Sequence, residues 1–408
     1  MSQNQVAEVQ GLYGPFTLSE NVVQKIWLQQ DFITANLKTV SGEELIVKDP
    51  GSWNFQEGPD FKEARLVLNG IEVIGDVEVH INPKDWRYHH HDTDSNYDRV
   101  LLHVVLYLDG FDRQSHVQTS HGHYPEVLHL LPLIKQDLET YAMEDALLKL
   151  ERNDQLEWVS RFIDQPLEKR MQSLKEHALT RWQQKLAYAK QRLRSEGWEA
   201  ACHSYALEVL GYKRNRAPML RLAAKYPLDQ MRRMLREGRT SSAGNPELDA
   251  NQLFYEESGH WKLNGLRPAN HPRKRLAQYL EILDRQPNWP DLLTECLKKF
   301  PSALAEDSTA SFRRASKLSE LCNEISESLF CSVISEKRLN TLIVDALLPL
   351  ATAAKLLDGC AYWQHWLTGD SPSALALFLK RAGVLNRQNP MSNGAIQGAL
   401  ALFLDQRS

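Results

Sequence analysis

The chain has 408 residues, 42% hydrophobic and 25% charged, an ordinary globular composition that excludes a fibrous or wholly disordered polymer and leaves room for two or three domains. Its net charge of −4 hides a split: residues 1–130 carry 9 basic and 19 acidic side chains, residues 131–408 carry 39 and 33, and residues 166–239 alone carry 17 and 7. With no apolar run of membrane length, no basic-then-apolar leader, and five scattered cysteines (Cys202, Cys296, Cys322, Cys331 and Cys360) that form no C-x-x-C pair, the expectation is a cytoplasmic protein without membrane association, disulfide framework or cysteine zinc site.

In chain order, the first predicted element is a helix over 18–30. Ser19 caps it, and Val22, Val23, Ile26 and Trp27 recur at helical spacing. A strand over 43–48 (EELIVK) follows. Residues 64–68 (ARLVL) and 71–81 (IEVIGDVEVHI) flank Asn69-Gly70, a hairpin signal because both turn positions must accept positive φ. Residues 100–108 (VLLHVVLYL) read as a strand buried on both faces. Beyond residue 130 the periodicity turns helical, in segments such as 133–163, 167–196, 198–211, 271–285 and 394–405, broken at Pro166, Gly197, Gly211 and Gly359. The span 238–246 (GRTSSAGNP) reads as a loop or linker. These elements predict an α+β protein: a mixed α/β domain over 1–130, then a larger all-α domain over 131–408 with 238–246 as its candidate division.

The candidate chemistry concentrates between Trp53 and His103. Along 71–81, Glu72, Asp76, Glu78 and His80 share one face of the strand and the valines and isoleucines the other. Burying those acids without a partner would cost several kcal/mol (roughly 2–7 for a neutral polar group and more for a charge), and a divalent cation is a natural partner. Asp60 precedes the hairpin and would complete a two-carboxylate clamp. A simple two-residue turn, however, sets Asp60 opposite Val79 on the apolar face. Convergence of Asp60 with Glu78 requires a bulge or an irregular start near Gly58-Pro59. A solvent-facing sheet edge would explain the same alternation.

This pattern resembles the core of the PD-(D/E)XK nucleases, in which a glutamate-bearing helix, a strand, a Pro-Asp strand and a Glu-x-Lys strand are followed by a helix and a further strand. The resemblance sets Pro59-Asp60 and Glu78-Val79-His80 as the two motif elements and Glu20 as the helix glutamate. It implies a restriction-endonuclease-like N-terminal domain, with Asp60, Glu78, Asp76 and Glu20 holding Mg²⁺ or Mn²⁺ for phosphodiester hydrolysis of DNA or RNA. The sequence departs where His80 replaces the lysine; His80 would orient or deprotonate water, or Lys84 or Lys62 would take the lysine's role. A wider resemblance runs through WNFQEGPDF, GDVEVHINPKDWRYHHHDTDSNYDRVLLHVV, LGYKRN, LRPANHPRKRLAQ and ALLPL, which resemble the uncharacterised bacterial DUF2851 family. It implies no activity.

Nine of the 14 histidines lie between His80 and His129. His89, His91, Asp94, Tyr97 and His103 form a second candidate group, for Zn²⁺ or Fe²⁺, with His89 and His91 on one side of an extended segment. His103, inside the buried strand, reads equally as a hydrogen-bonded core histidine. Downstream, Lys213, Arg214, Arg216, Arg267, Arg273, Lys274 and Arg275 are candidates for phosphate binding, or for tying helices together. No Walker or dinucleotide-binding glycine loop and no G-x-S-x-G elbow is present. The expected function is a divergent metal-dependent nuclease. The alternatives are a non-catalytic nucleic-acid- or protein-binding scaffold on the same core, and a His/Asp metal-dependent hydrolase of small molecules.

Overall fold

The computed structural model describes residues 20–54, 56–108, 117–134, 138, 141, 157–212, 215–240, 249–263, 266–302 and 308–405. It is α+β, in two compact units that divide near residue 142. In the first unit, Tyr141 reaches back from its end and donates its hydroxyl to Asp31, at 2.9 Å to both the backbone and the side-chain oxygen.

Helix α1 (Glu20–Leu28) buries Val22, Val23, Ile26 and Trp27, the stripe that its spacing predicts. Seven strands form one mixed sheet: β1 (Leu37–Lys38), β2 (Glu44–Asp49), β3 (Ser52–Trp53), β4 (Phe61–Leu68), β5 (Ile71–His80), β6 (Val100–Val105) and β7 (Glu126–His129). Their order is β1-β2-β4-β5-β6-β7, with β3 paired to β4. The pairs β1-β2, β2-β4, β3-β4 and β4-β5 are antiparallel, whereas β5-β6 and β6-β7 are parallel. The turn between β4 and β5 uses left-handed backbone at Asn69 (φ 48°) and Gly70 (φ 81°), as its residue types require. A parallel neighbour demands a crossover, so residues 81–99 leave the sheet at the end of β5 and return to its other side as β6. Helix α2 (Asp85–Tyr88) lies in this crossover.

The register contains the feature on which the site depends. From Leu68↔Ile71 to Ala64↔Gly75 the partners follow the two-residue turn, but the next pair is Phe61↔Val77. Lys62 and Glu63 therefore oppose Asp76 together, as a β-bulge. The irregularity lies here, two residues beyond Asp60, and not at Gly58-Pro59. Glu63 adopts φ 58°, and its N–H donates to Asp76 Oδ1 at 3.0 Å. One extra residue in β4 moves Asp60 from opposite Val79 to opposite Glu78. A non-glycine residue in left-handed backbone costs about 1 kcal/mol or somewhat more, so Glu63→Gly is expected to raise stability by about 1 kcal/mol while leaving the site intact. Chemical denaturation would show this as a higher midpoint at unchanged slope; a lower midpoint would mean that the Glu63 side chain, not the bulge, matters.

The second compact unit is helical in its described residues, which begin at Glu157. Its longest helix among the described residues is Leu167–Glu196, and the C-terminal helix Asn393–Asp405 packs along it. Gly398 permits this approach: a Cβ there would lie 2.2 Å from the Leu174 carbonyl oxygen. Trp182, Trp289, Trp363 and Trp366 are fully buried in this unit. The helix Leu228–Thr240 runs through Gly238, where a loop is predicted; positions 241–246 of that span lie outside the described residues.

A candidate metal centre

Strand β5 turns one face of alternating side chains, Asp76, Glu78 and His80, into the protein interior. Glu78 is 5% exposed and His80 1%. The bulge brings Asp60 alongside: its backbone N–H donates to Glu78 Oε2 at 3.0 Å, and its Oδ2 accepts the Val79 N–H at 3.0 Å. Its other oxygen, Oδ1, accepts from Gln24 Nε2 at 2.7 Å. Gln24 lies one turn after Glu20 on α1, so both reach the same place.

The crossover supplies the remaining groups. Helix α2 ends with His90 in left-handed backbone (φ 61°). The His90 N–H bonds Arg87 O and the His91 N–H bonds Trp86 O, each at 3.0 Å, the paired closure of a Schellman motif. The segment is thus a helix cap and not the extended run that the sequence suggests. The cap separates three consecutive histidines: His90 is exposed, whereas His89 and His91 both turn toward His80. His91 is held by Tyr97, whose ring stacks on it at 3.7 Å between centroids, and by the edge of buried Trp86.

Three imidazole nitrogens converge, with a Glu78 oxygen beside two of them. Glu78 Oε1 lies 3.3 Å from His80 Nε2 and 3.2 Å from His91 Nε2, and His80 Nε2 lies 3.2 Å from His89 Nδ1. The ligating atoms of the three histidines all fall within 4.8 Å of one another. Bonds of about 2.0–2.1 Å to a single ion separate neighbouring ligand atoms by roughly 3.0–3.4 Å, which matches the closest spacings here. His91 Nε2 makes no hydrogen bond despite its proximity to Glu78. Behind the cluster, His80 Nδ1 meets His103 Nε2 at 2.9 Å. With the proton on His80 Nδ1, this contact fixes the ring and leaves Nε2 as a lone pair facing the other donors, the usual arrangement of a ligating histidine.

The electrostatics agree with the geometry. Burial, reinforced by Glu78, pushes the Asp60 carboxyl up to about 7, and burial pushes Glu78 up to about 8. Burial lowers His91 to about 4 and His103 to about 3, and holds His80 well below its ordinary value. Glu20 is also raised, first by burial and then by its acidic neighbours Asp60 and Asp85, with His89 opposing. The protein surroundings alone thus favour neutral acids and neutral imidazoles. A cation reverses that preference for the carboxylates and keeps the imidazoles unprotonated.

The other candidate residues are placed as follows. Asp76 shares the face of Glu78, but one oxygen anchors the bulge. Asp94 caps the short 3₁₀ turn Ser95–Tyr97 by accepting the Asn96 N–H. Lys84 stands exposed at the start of α2, and Lys62 is exposed on β4. Tyr97 and His103 touch the cluster from behind. In the helical unit, Arg275 is 4% exposed and donates to Asn270 Oδ1 and Gln278 Oε1. Arg216 lies 3.9 Å from Glu208 and 3.8 Å from Asp345. Arg267, Arg273 and Lys274 are exposed, Arg273 over the Phe254 ring; Lys213 and Arg214 lie outside the described residues. Sequence reasoning missed Gln24, although its i, i+4 relation to Glu20 was visible. It also separates the acids from His89 and His91, whereas Glu78, His80, His89 and His91 lie together in the folded chain.

The comparisons with known proteins add a family and no activity. A family model described as "Protein of unknown function (DUF2851)" matches residues 20–243, more than half of the chain and the whole of the cluster. No curated protein and no solved structure matches.

Proposed function

The chain belongs to the DUF2851 family, and from the geometry of its N-terminal unit we infer that it is a metal-dependent phosphodiester hydrolase. Glu78, His80, His89 and His91 would hold one divalent ion. The observation that supports this reading is the convergence of three imidazoles, drawn from a strand and from the crossover that follows it, with a Glu78 oxygen 3.3 Å from His80 and 3.2 Å from His91. Three imidazoles and one carboxylate suit Zn²⁺, Fe²⁺ or Mn²⁺ better than Mg²⁺, which prefers oxygen ligands.

The reaction class rests on the order of elements. Helix α1 with Glu20, strand β2, the Asp60 end of β4, Glu78-Val79-His80 in β5, helix α2 and parallel strand β6 follow the order that the nuclease resemblance implies. The departure is chemical, since an imidazole stands where a lysine is expected. A bound ion would supply an activated water and offset charge developing on phosphate. The chain's own residues would do the rest. Asp60 holds Glu78 in place through its backbone N–H. His103 orients His80, and Glu20, only partly buried, stands where a proton can be exchanged with solvent. The five free thiols accord with a reducing, cytoplasmic setting. Among the described residues, no helix is long and apolar enough to cross a membrane.

The test is hydrolysis of bis(p-nitrophenyl) phosphate and of single- and double-stranded DNA and RNA by the full chain, with Mn²⁺, Zn²⁺, Fe²⁺ or Mg²⁺ supplied separately. Turnover that a chelator abolishes and Mn²⁺, Zn²⁺ or Fe²⁺ restores is the expected result. Cleavage of carboxylic esters or amides but of no phosphodiester would keep the ion and replace the reaction, a reading that the imidazole-rich donor set also favours. Salt-sensitive nucleic-acid binding that ignores the chelator would turn the reading toward a non-catalytic scaffold.

A further inference from the structure

The outer side of the crossover carries an aromatic group that the metal centre itself does not use. Helix α2 divides its two aromatic residues. Trp86 is fully buried against His91, whereas Tyr88 is 80% exposed, the most exposed large apolar side chain among the described residues. The backbone beneath it is fixed: the N–H groups of Tyr88, His89, His90 and His91 bond Lys84 O, Asp85 O, Arg87 O and Trp86 O at 2.9–3.1 Å. The Tyr88 ring stands 5.6 Å from the ring of His89 and is tilted to it by 55°. His89 in turn lies 5.0 Å from the ring of His80 and 5.5 Å from that of His91. A flat apolar surface open to solvent thus borders the imidazoles that would hold the ion.

The charges around the ring are balanced. Lys84, four positions before Tyr88 and therefore on the same side of the turn, is exposed, as is Arg87. Asp85 accepts the Asn82 N–H at 2.9 Å, and Glu20 lies near it. Two cations against two acids leave the surface near neutral, so the ion would supply the attraction for phosphate and the ring the affinity for whatever the phosphate carries. Every nucleobase offers a π-face to such a ring, whatever its sequence. In a duplex both faces of a base are covered by its neighbours, and only an unpaired base can be splayed onto an aromatic side chain.

We propose that Tyr88 is a stacking platform for an unpaired base whose phosphate is presented to the ion, which makes single-stranded nucleic acid the substrate class. The assignment rests on the reading of the cluster as a phosphodiester-cleaving metal centre. Tyr88 is a positioning residue: it holds the nucleotide and takes no part in the bond that breaks.

The experiment uses the full chain loaded with Zn²⁺ or Mn²⁺ and short strands of DNA and of RNA, each with one central 2-aminopurine and with phosphorothioate linkages to slow cleavage. Wild type is expected to quench the 2-aminopurine and to bind the single strand at least about ten-fold tighter than the same strand in a duplex; comparison of the DNA and RNA arms identifies the preferred sugar. Tyr88→Ala is expected to remove the quench and to weaken single-strand binding about 5- to 150-fold, the equivalent of the roughly 1–3 kcal/mol of one base–aromatic stack. Tyr88→Phe keeps the ring and should stay within about two-fold of wild type. The proposal is overturned if the duplex binds as tightly as the single strand, if Tyr88→Ala keeps the quench or the affinity, or if neither strand binds. Hydrolysis of bis(p-nitrophenyl) phosphate tests the metal reading separately. Turnover there without a single-strand preference ends the platform and leaves the hydrolase standing; quench and preference without turnover of any phosphodiester keep the platform and end the hydrolase.

Discussion

Glu78→Gln and His80→Ala are each expected to strip the N-terminal unit of its divalent ion. Metal analysis of protein refilled with Zn²⁺ or Mn²⁺ should give about one ion per chain for wild type and under a tenth for either variant, because each removes a donor from a four-atom set. Hydrolysis should fall on the order of 10³-fold or more, the scale of losing several kcal/mol of charge stabilisation. Glu78→Gln keeps the volume of the side chain, so a folding defect is not the expected cause; an unchanged melting curve of the metal-free proteins checks this. Affinity should also rise with pH between about 6 and 8. Burial raises Asp60 to about 7 and Glu78 to about 8, and a cation must displace those protons. The imidazoles, already depressed, add little above pH 6. Equal metal content in wild type and both variants would end the assignment.

Asp60→Asn is expected to behave differently from the ligand variants. Both oxygens of Asp60 accept hydrogen bonds, from Gln24 and from the Val79 amide, and its backbone N–H holds Glu78. An asparagine presents a donor to one of those two donors and loosens the bracket without removing a donor atom from the cluster. Metal affinity should fall about 10- to 100-fold, the usual cost of losing a group that orients a ligand. Stoichiometry at saturating metal should remain near one. The two quantities separate in a titration followed by calorimetry. If Asp60→Asn shows no binding at any metal concentration, Asp60 is itself a ligand and the clamp is of the two-carboxylate kind.

Much of this arrangement was legible in the residues. The Asn69-Gly70 turn, the alternation along β5 and the amphipathic α1 follow directly from side-chain and backbone preferences. The bulge was required by the argument that Asp60 and Glu78 meet, but its position was not, because nothing in Lys62-Glu63 advertises left-handed backbone. Strands β1 and β3 have two residues each and β7 four. Elements this short carry no periodicity and are fixed by the neighbours they pair with. The larger oversight was to hold the acids and the histidines apart. Their union depends on a parallel crossover and on the cap at His90, both of which fold residues nine and eleven positions past His80 back against it. Charge counts misled in another way. Arg216 belongs to the basic stretch of residues 166–239 and Arg275 to the basic run PRKR, yet in the folded chain they face carboxylates and amides of their own unit, a distinction that composition does not carry.

The four-residue helix at the crossover has a consequence for how the proposed centre would be loaded. Glu78 and His80 are set by pairing with β6 at His103 and Val105, but His89 is exposed and rests on the end of a single turn. An incoming ion would therefore dock first on the sheet-borne pair, with His89 as the door that shuts behind it. A protein built this way would complete its architecture before it is loaded, and give up its cargo by the same door.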